Sequence, residues 1–311
     1  MQIVKELAEL TSEQETMLTV GVFDGVHLGH QHLIKKLNEQ AAERKLLSGV
    51  VTFRGHPEEV LCPQIKLAFL TSLEERISLI QNLGVEFTAI LSFTPEVAQL
   101  SARQFVSSLK EQLKMQGLVI GPDFALGRGR EGNATVLNAL GQELGFTVTS
   151  VPKLTVEGQV VSSTLIREAL SQGDMKRVAR LLGRYFTLSG VVVTGSKRGR
   201  LLGFPTANIA PQPSRALPPD GVYVTWAQID NKLYRAATNI GVSPTFDGGE
   251  RMIEAYVLDF NGDLYGCQVT LQFIERIRDE VHFATPEELQ QQIDRDVEIA
   301  KAVLKKKRGP N

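Results

Sequence analysis

Thiols are scarce: Cys62 and Cys267 are the only cysteines in 311 residues. They lie far apart, and neither has a second thiol or a histidine at metal-ligand spacing. No disulfide framework is expected, and a reducing compartment fits best. Long apolar runs are missing as well: no stretch approaches the roughly 18 residues that a membrane span needs. The opening Met1-Gln-Ile-Val-Lys-Glu6 is no basic-then-apolar leader. A cytoplasmic protein without a membrane partner is expected. Net charge is almost absent, at −1, with 19 basic and 20 acidic residues in 1–184 and 15 of each in 185–311. Neither part has the basic surplus of a polyanion binder, so nucleic acid is not an expected partner. There is no internal repeat, low-complexity stretch or long flexible linker. The basic run Lys305–Arg308 reads as a solvated end.

What remains is an ordinary globular composition, 42% apolar and 22% charged, in a chain long enough for two domains. Short apolar runs at Met17–Phe23, Gly49–Phe53, Phe87–Leu91, Leu118–Gly121 and Phe146–Val151 predict buried strands. Helical periodicity predicts His30–Arg44, Ser72–Leu83, Ala102–Leu113 and Thr135–Leu144 between them, with Ser72 and Glu75 forming a capping signal. Such alternation predicts an α/β, doubly wound parallel sheet. Two more helices follow at Ser163–Ser171 and Asp174–Leu182, ended by Gly183. The pattern then changes to strands at Phe186–Val193, Gly221–Ile229, Lys232–Thr238, Ile253–Phe260 and Gln268–Ile277. These predict a small antiparallel β-barrel, closed by one helix starting at Thr285-Pro286 with Glu288. Domains of 1–184 and 185–311 are expected, with a monomer or weak homo-oligomer.

Ligands bind doubly wound sheets at the carboxyl ends of the strands. Gly21-Val-Phe-Asp-Gly-Val-His-Leu-Gly-His30 falls at such an end, as does Gly121-Pro-Asp-Phe124. Gly21, Gly25 and Gly29 permit close approach of backbone to phosphate. His27 and His30, three apart at a helix start, can face one ligand. As an isolated pair they suit capping or packing equally well, and no third ligand is spaced to complete a zinc site. About 130 residues on, Val161-Ser-Ser-Thr-Leu-Ile-Arg167 places hydroxyls and an arginine at another helix start. Helix N-termini carry unpaired N–H groups and a positive dipole end, which suits a triphosphate.

The His-x-Gly-His segment, paired with Ser-Ser-Thr-x-x-Arg, resembles that of adenylyl- and cytidylyltransferases. The longer Phe-Asp-Gly-Val-His-Leu-Gly-His run is similar to that of bacterial bifunctional riboflavin kinase/FAD synthetases. The resemblance implies that His27, His30, Ser162, Ser163, Thr164 and Arg167 bind ATP phosphates during adenylyl transfer. It places Gly21, Phe23, Asp24, Gly25 and Gly29 around the nucleotide, and Asp123, in Gly121–Gly132, against nucleotide or flavin. Thr52-Phe-Arg-Gly-His-Pro57 departs from the family's Thr-Phe-Asp/Glu-Pro-His-Pro, where flavin binding near His56 and Pro57 is implied.

In the β half, Gly203-Phe-Pro-Thr-Ala-Asn-Ile209 follows the glycine- and base-rich Gly195–Arg200. Pro-Thr-Ala-Asn alone reads as a turn. It also resembles the riboflavin kinase signature, which implies that Gly203, Pro205, Thr206 and Asn208 hold ATP, with Thr206 and Asn208 on Mg²⁺. Asn239–Phe246 looks like the family's next block, and Glu254 matches its catalytic glutamate. The resemblance covers about residues 16–300 in the same order.

The two implied steps ask for different groups. Riboflavin's 5′-hydroxyl must lose a proton, which suits a carboxylate base such as Glu254. FMN's phosphate, with a second pKa of about 6, is already ionised near neutrality. That site needs charge neutralisation, which histidines, an arginine and helix ends supply. The expected activity is therefore FMN and then FAD synthesis from riboflavin and ATP with Mg²⁺. Two rivals stand: a nucleotidyltransferase for another phosphorylated acceptor with a β-barrel binding module, and a non-catalytic flavin-responsive regulator.

Overall fold

A computed structural model of the chain describes residue 6 and residues 12–195, 203–242 and 251–306. They group into two units, Met1–Ser163 and Thr164–Asn311. The expectations for Ser196–Arg200, Ser243–Phe246 and Lys307–Arg308 lie outside the described residues.

The first unit is a five-stranded sheet in the order β3-β2-β1-β4-β5, parallel throughout. Its strands are β1 (Thr16–Val20), β2 (Leu47–Phe53), β3 (Phe87–Leu91), β4 (Met115–Ile120) and β5 (Thr147–Ser150). The helices between them are α1 (Leu28–Arg44), α2 (Pro57–Leu61), α3 (Leu73–Gln81), α4 (Pro95–Ala98), α5 (Ala102–Leu113) and α6 (Ala134–Leu144). Successive strand residues feed opposite cores. Leu18, Val20, Val51, Phe53, Leu118 and Ile120 pack with Phe105, Leu109 and Leu137 from α5 and α6. Met17, Val50 and Val119 pack with Ile34, Leu37 and Ile80 from α1 and α3. Covered on both faces, β1, β2 and β4 are buried along nearly their whole length rather than alternating.

Side-chain caps start these helices. Ser72 Oγ accepts from the Glu75 N–H at 3.1 Å, and Ser101 with Gln104 makes a reciprocal capping box. Left-handed residues end three of them: Lys45 after α1 (φ 57°), Lys114 after α5 (φ 48°) and Gly145 after α6 (φ 75°). Connections run from β1 to β2 and β3 in one direction, then back to β4 on the other side of β1. The order therefore reverses between β1 and β4, which opens a crevice at their carboxyl ends. A short hairpin, β6 (Thr155–Val156) and β7 (Gln159–Val160), completes the unit and was not expected from the sequence.

Helix α7 (Ser163–Ser171) spans the division, and α8 (Met175–Leu182) stops at Gly183 in a left-handed conformation, φ 73°. The second unit is a closed antiparallel barrel in the order β10-β11-β12-β9-β8-β13. Its strands are β8 (Phe186–Val193), β9 (Thr206–Ile209), β10 (Gly221–Ile229), β11 (Lys232–Val242), β12 (Arg251–Val257) and β13 (Gln268–Arg278). Phe186, Tyr223 and Phe273 pack edge-on or tilted in its buried interior. Thr206–Ile209 is a strand, not the turn expected of Pro-Thr-Ala-Asn alone: pairing with β12 satisfies its backbone. Helix α9 (Pro286–Lys305) is capped by Thr285, whose Oγ1 accepts from the Glu288 N–H at 3.2 Å. It lays Val297, Ala300 and Leu304 over Val224 and Ala237 of the barrel wall, beside Trp226 and Tyr256.

Candidate active sites

The chain leaves β1 at Val20 and turns through Gly21–His27 before α1 begins, on one side of the crevice. The Gly21 N–H still donates to Val51 O at 3.0 Å. Beyond it the backbone turns left-handed at Phe23 (φ 55°), Gly25 (φ 80°) and Val26 (φ 38°). For Gly25 this is cheap; for Phe23 and the β-branched Val26 it is strained. His27, 5% exposed, is the N-cap of α1, and its Nδ1 accepts from the His30 N–H at 3.3 Å. The two imidazoles stack with centroids 3.6 Å apart, and the buried Phe23 ring meets His30 edge-on at 5.1 Å. Gly29 packs closely here: a Cβ would lie 3.1 Å from the His27 ring and 3.3 Å from Val161 O, so these neighbours would have to give by a few tenths of an ångström. So the pair both caps the helix and offers two imidazoles at its positive end.

Asp24 is 2% exposed. Its carboxylate accepts from the Leu70 N–H (2.9 Å), the Thr71 N–H (3.1 Å) and the Thr71 hydroxyl (3.2 Å). Thr71 Oγ1 accepts in turn from the Gly25 N–H at 3.0 Å. Ser163 Oγ donates to the Asp24 carbonyl at 2.9 Å, which brings the Ser162-Ser163 segment to the Gly21–His30 turn. Thr164 and Arg167 follow on α7, and Arg167 lies one turn beyond Ser163 on the same helix face.

Across the crevice, Gly121–Gly132 follows β4. Its Phe124 N–H closes a turn onto Gly121 O, and Leu126 bridges Gly132. Asp123 is exposed, ion-paired with Lys153, and its carbonyl accepts from Arg130 at 3.0 Å. His56 caps α2 with its Nδ1 on the Glu58 N–H at 3.2 Å, while Glu59 reaches back to the His56 N–H at 3.3 Å. The departing Arg54-Gly55 thus leads into a properly capped helix.

The sequence reading missed Leu70, Thr71 and Arg76 in this site. Arg76 is 1% exposed and donates to Val22 O at 2.8 Å and Phe53 O at 2.6 Å. Burial pushes its guanidinium below the usual range, and the nearby Asp24 carboxylate partly restores it. One signal was available: Arg76 stands four residues before buried Ile80, on the apolar stripe of α3.

In the second unit, Asn208 of β9 pairs with Glu254 of β12, and Glu254 pairs with Asn239 of β11. Directly paired residues share a face, so one rung carries an amide, a carboxylate and an amide on adjacent strands. Their neighbours Ala207, Ile253 and Ile240 are buried on the opposite, inward face. Thr206 pairs with Tyr256 two residues along, on the same outward face, and the Phe204 ring packs edge-on to Tyr256 at 5.2 Å. Pro205 feeds β9, and Gly203 is left-handed at φ 87°. The rung offers one acidic group and two amides, with a hydroxyl beside them. Among the described residues no three His, Cys, Asp or Glu side chains gather as a metal site.

A family model described as FAD synthetase matches residues 9–165, and one described as riboflavin kinase matches residues 182–304. A bifunctional riboflavin kinase/FMN adenylyltransferase from Pseudomonas fluorescens is 38% identical, covering 97% of this chain and 98% of its own. Those of Bacillus subtilis and Escherichia coli K12 are each 36% identical, over 93% and 95% of this chain and 92% and 96% of theirs. A crystal structure described as a macrolide-efflux protein from Streptococcus pneumoniae superposes with a TM-score of 0.87 at 32% identity, covering 94% of this chain and 96% of that one. No helix among the described residues is long and apolar enough to cross a membrane.

Proposed function

The chain belongs to the bifunctional riboflavin kinase/FMN adenylyltransferase family, and from that premise we propose how its residues divide the work. It phosphorylates riboflavin to FMN and transfers an adenylyl group from ATP to FMN. Kinase chemistry is assigned to residues 185–311 and adenylyl transfer to residues 1–184.

The observation that carries the kinase assignment is the Asn208–Glu254–Asn239 rung. Glu254 takes the proton of riboflavin's 5′-hydroxyl as that oxygen attacks the γ-phosphorus of ATP and ADP leaves. Thr206 and Asn208 supply neutral hard oxygens, the donor type that Mg²⁺ accepts alongside substrate phosphates. Bound there, Mg²⁺ would neutralise charge on the transferring phosphoryl group. Asn239 orients the carboxylate's side of the rung, and Gly203 and Pro205 shape the approach to β9.

For adenylyl transfer, the FMN phosphate attacks the α-phosphorus of ATP and pyrophosphate leaves. No base is needed, since the nucleophile is already anionic. His27 and His30 at the α1 N-terminus, with Ser162, Ser163, Thr164 and Arg167, balance the developing charge. Gly21, Phe23, Gly25 and Gly29 form the turn that receives the triphosphate, Asp24 fixes its shape, and Asp123 takes a nucleotide or flavin contact. The protein works in the cytoplasm on small molecules, as a monomer or weak homo-oligomer without nucleic acid.

The test is one incubation of the pure protein with riboflavin, excess ATP and Mg²⁺, with flavins separated over time. FMN followed by FAD is expected. FMN without FAD would remove adenylyl transfer from the first unit.

A further inference from the structure

Two non-glycine residues of the Gly21–His30 turn, Phe23 and Val26, hold left-handed φ angles of 55° and 38°. Such conformations persist only where surrounding structure over-determines them. Thr52 Oγ1 donates to Val22 O at 3.0 Å, Ser163 Oγ to Asp24 O at 2.9 Å and Gln31 Nε2 to Val26 O at 2.9 Å, and the largest set of contacts comes from the start of α3. Arg76 donates to Val22 O, immediately before Phe23. The Leu70 and Thr71 N–H groups and the Thr71 hydroxyl hold the Asp24 carboxylate, immediately after it. Thr71 Oγ1 also accepts the Gly25 N–H, immediately before Val26. Each strained residue is thus flanked by an anchored one. The second Arg76 donor reaches Phe53 O at the last residue of β2, so one guanidinium ties the turn to the neighbouring strand end.

We propose that Arg76, seconded by Thr71, is a positioning residue for adenylyl transfer: it clamps the turn in the strained shape that aims His27 and His30. The inference rests on the reading that this turn receives ATP. Arg76 touches no substrate in this scheme. Its planar fork spans two carbonyls, and an apolar replacement would take that donor from both, leaving Val22 O with the Thr52 hydroxyl alone. Releasing the clamp lets Phe23 and Val26 relax, which shifts the first turn of α1. A displacement of about 1 Å in a positioned group costs on the order of 10²-fold in rate.

The experiment compares Arg76→Met, Arg76→Lys, Thr71→Val and His30→Ala in the full chain. FAD formation from supplied FMN is followed beside FMN formation from riboflavin. Arg76→Met is expected to lose about 10²-fold in kcat for FAD formation. It should keep the native kinase rate and the native number of calorimetric sites for a non-hydrolysable ATP analogue. Arg76→Lys, which keeps the charge but not the planar fork, is expected to recover part of the rate, and Thr71→Val to show a smaller loss of the same kind. Loss of analogue sites in proportion to rate would mean a structural role only and would overturn the proposal. Should Arg76→Met fail to fold, Thr71→Val decides: a lowered kcat with intact sites supports the clamp, and a native kcat overturns it. If His30→Ala runs at the native rate, the site reading falls and the clamp with it. If His30→Ala is dead while Arg76→Met and Thr71→Val are native, the clamp alone is overturned.

Discussion

Asn208 and Glu254 face each other across the β9–β12 pair, on the outward face of the barrel. A carboxylate on an outward strand face is ordinarily solvated; here an amide stands opposite it on each side. Glu254→Gln keeps the shape and removes the base. FMN formation should fall by about 10²–10⁴-fold, while FAD formation from supplied FMN stays native. Loss of both activities would contradict separate sites. Chromatography of the flavin products reads each rate directly.

Gly195 lies directly against Asn208. A Cβ at residue 195 would sit 2.2 Å from Asn208 Nδ2 and 2.3 Å from its Cγ, so the amide must move. Gly195→Ala should therefore depress the kinase kcat without touching adenylyl transfer. Roughly 10-fold or more is expected if the amide is displaced by even part of an ångström. A native kinase rate would show that Asn208 tolerates another rotamer.

His27 combines a helix cap with a proposed phosphate contact, and two substitutions separate these. Asn caps helices well, so His27→Asn should keep stability and lose the imidazole. His27→Ala loses both, at about 1 kcal/mol for the cap. Both should lower FAD formation by about 10²–10³-fold, as for deletion of one electrostatic donor. If His27→Asn is fully active, His27 is a cap and nothing more. Thermal melts alongside FMN-to-FAD assays make the distinction.

The sequence disclosed the parallel sheet because β1, β2 and β4 are buried on both faces, and such strands are conspicuous apolar runs. It also disclosed the helix starts, since Ser72 and Thr285 act through contacts only three residues long. Strand β9 was hidden: its four residues gain strand identity from pairing with β12, some 45 positions on, and local turn chemistry gave the opposite reading. Arg76 was hidden for a similar reason. A charged residue on a helix is taken as solvated until a carbonyl 54 positions away is known to be beside it. The loop at Phe23–Val26 showed its glycines but not its strain, which only the backbone angles reveal.

Asp296, 3% exposed, accepts from Arg278 Nε at 3.1 Å and Nη2 at 2.7 Å, and from Gln292 at 3.0 Å. This pair fastens α9 to the end of β13. Removing one partner leaves a largely covered charge, so Asp296→Ala should cost about 3 kcal/mol. The protein's single tryptophan, Trp226, packs in the α9 cluster and reports on this unit alone. Its fluorescence during urea unfolding should show an earlier midpoint. An unshifted one would rank the pair with exposed bridges of little worth.

Tyr223 gives the barrel an alkaline limit. Its side chain is fully buried and its hydroxyl donates to Pro219 O at 2.6 Å. Burial raises the phenol from 10.0 to about 12, against the pull of the Arg276 and Arg251 charges. Between those values the folded chain keeps a proton that the unfolded chain has released. Stability from this group is therefore complete below pH 10 and drains away as pH rises toward 12, at roughly 1.4 kcal/mol per pH unit. Tyr223→Phe loses the hydrogen bond but has no proton to release, so its stability relative to the native chain should improve steadily across that window. Other groups titrate there in both proteins and cancel in the difference. Two Trp226 unfolding curves that stay parallel from below pH 10 to above 11 would mean that the buried phenol ionises as readily as a free one, and that the Arg276 and Arg251 charges fully offset its burial.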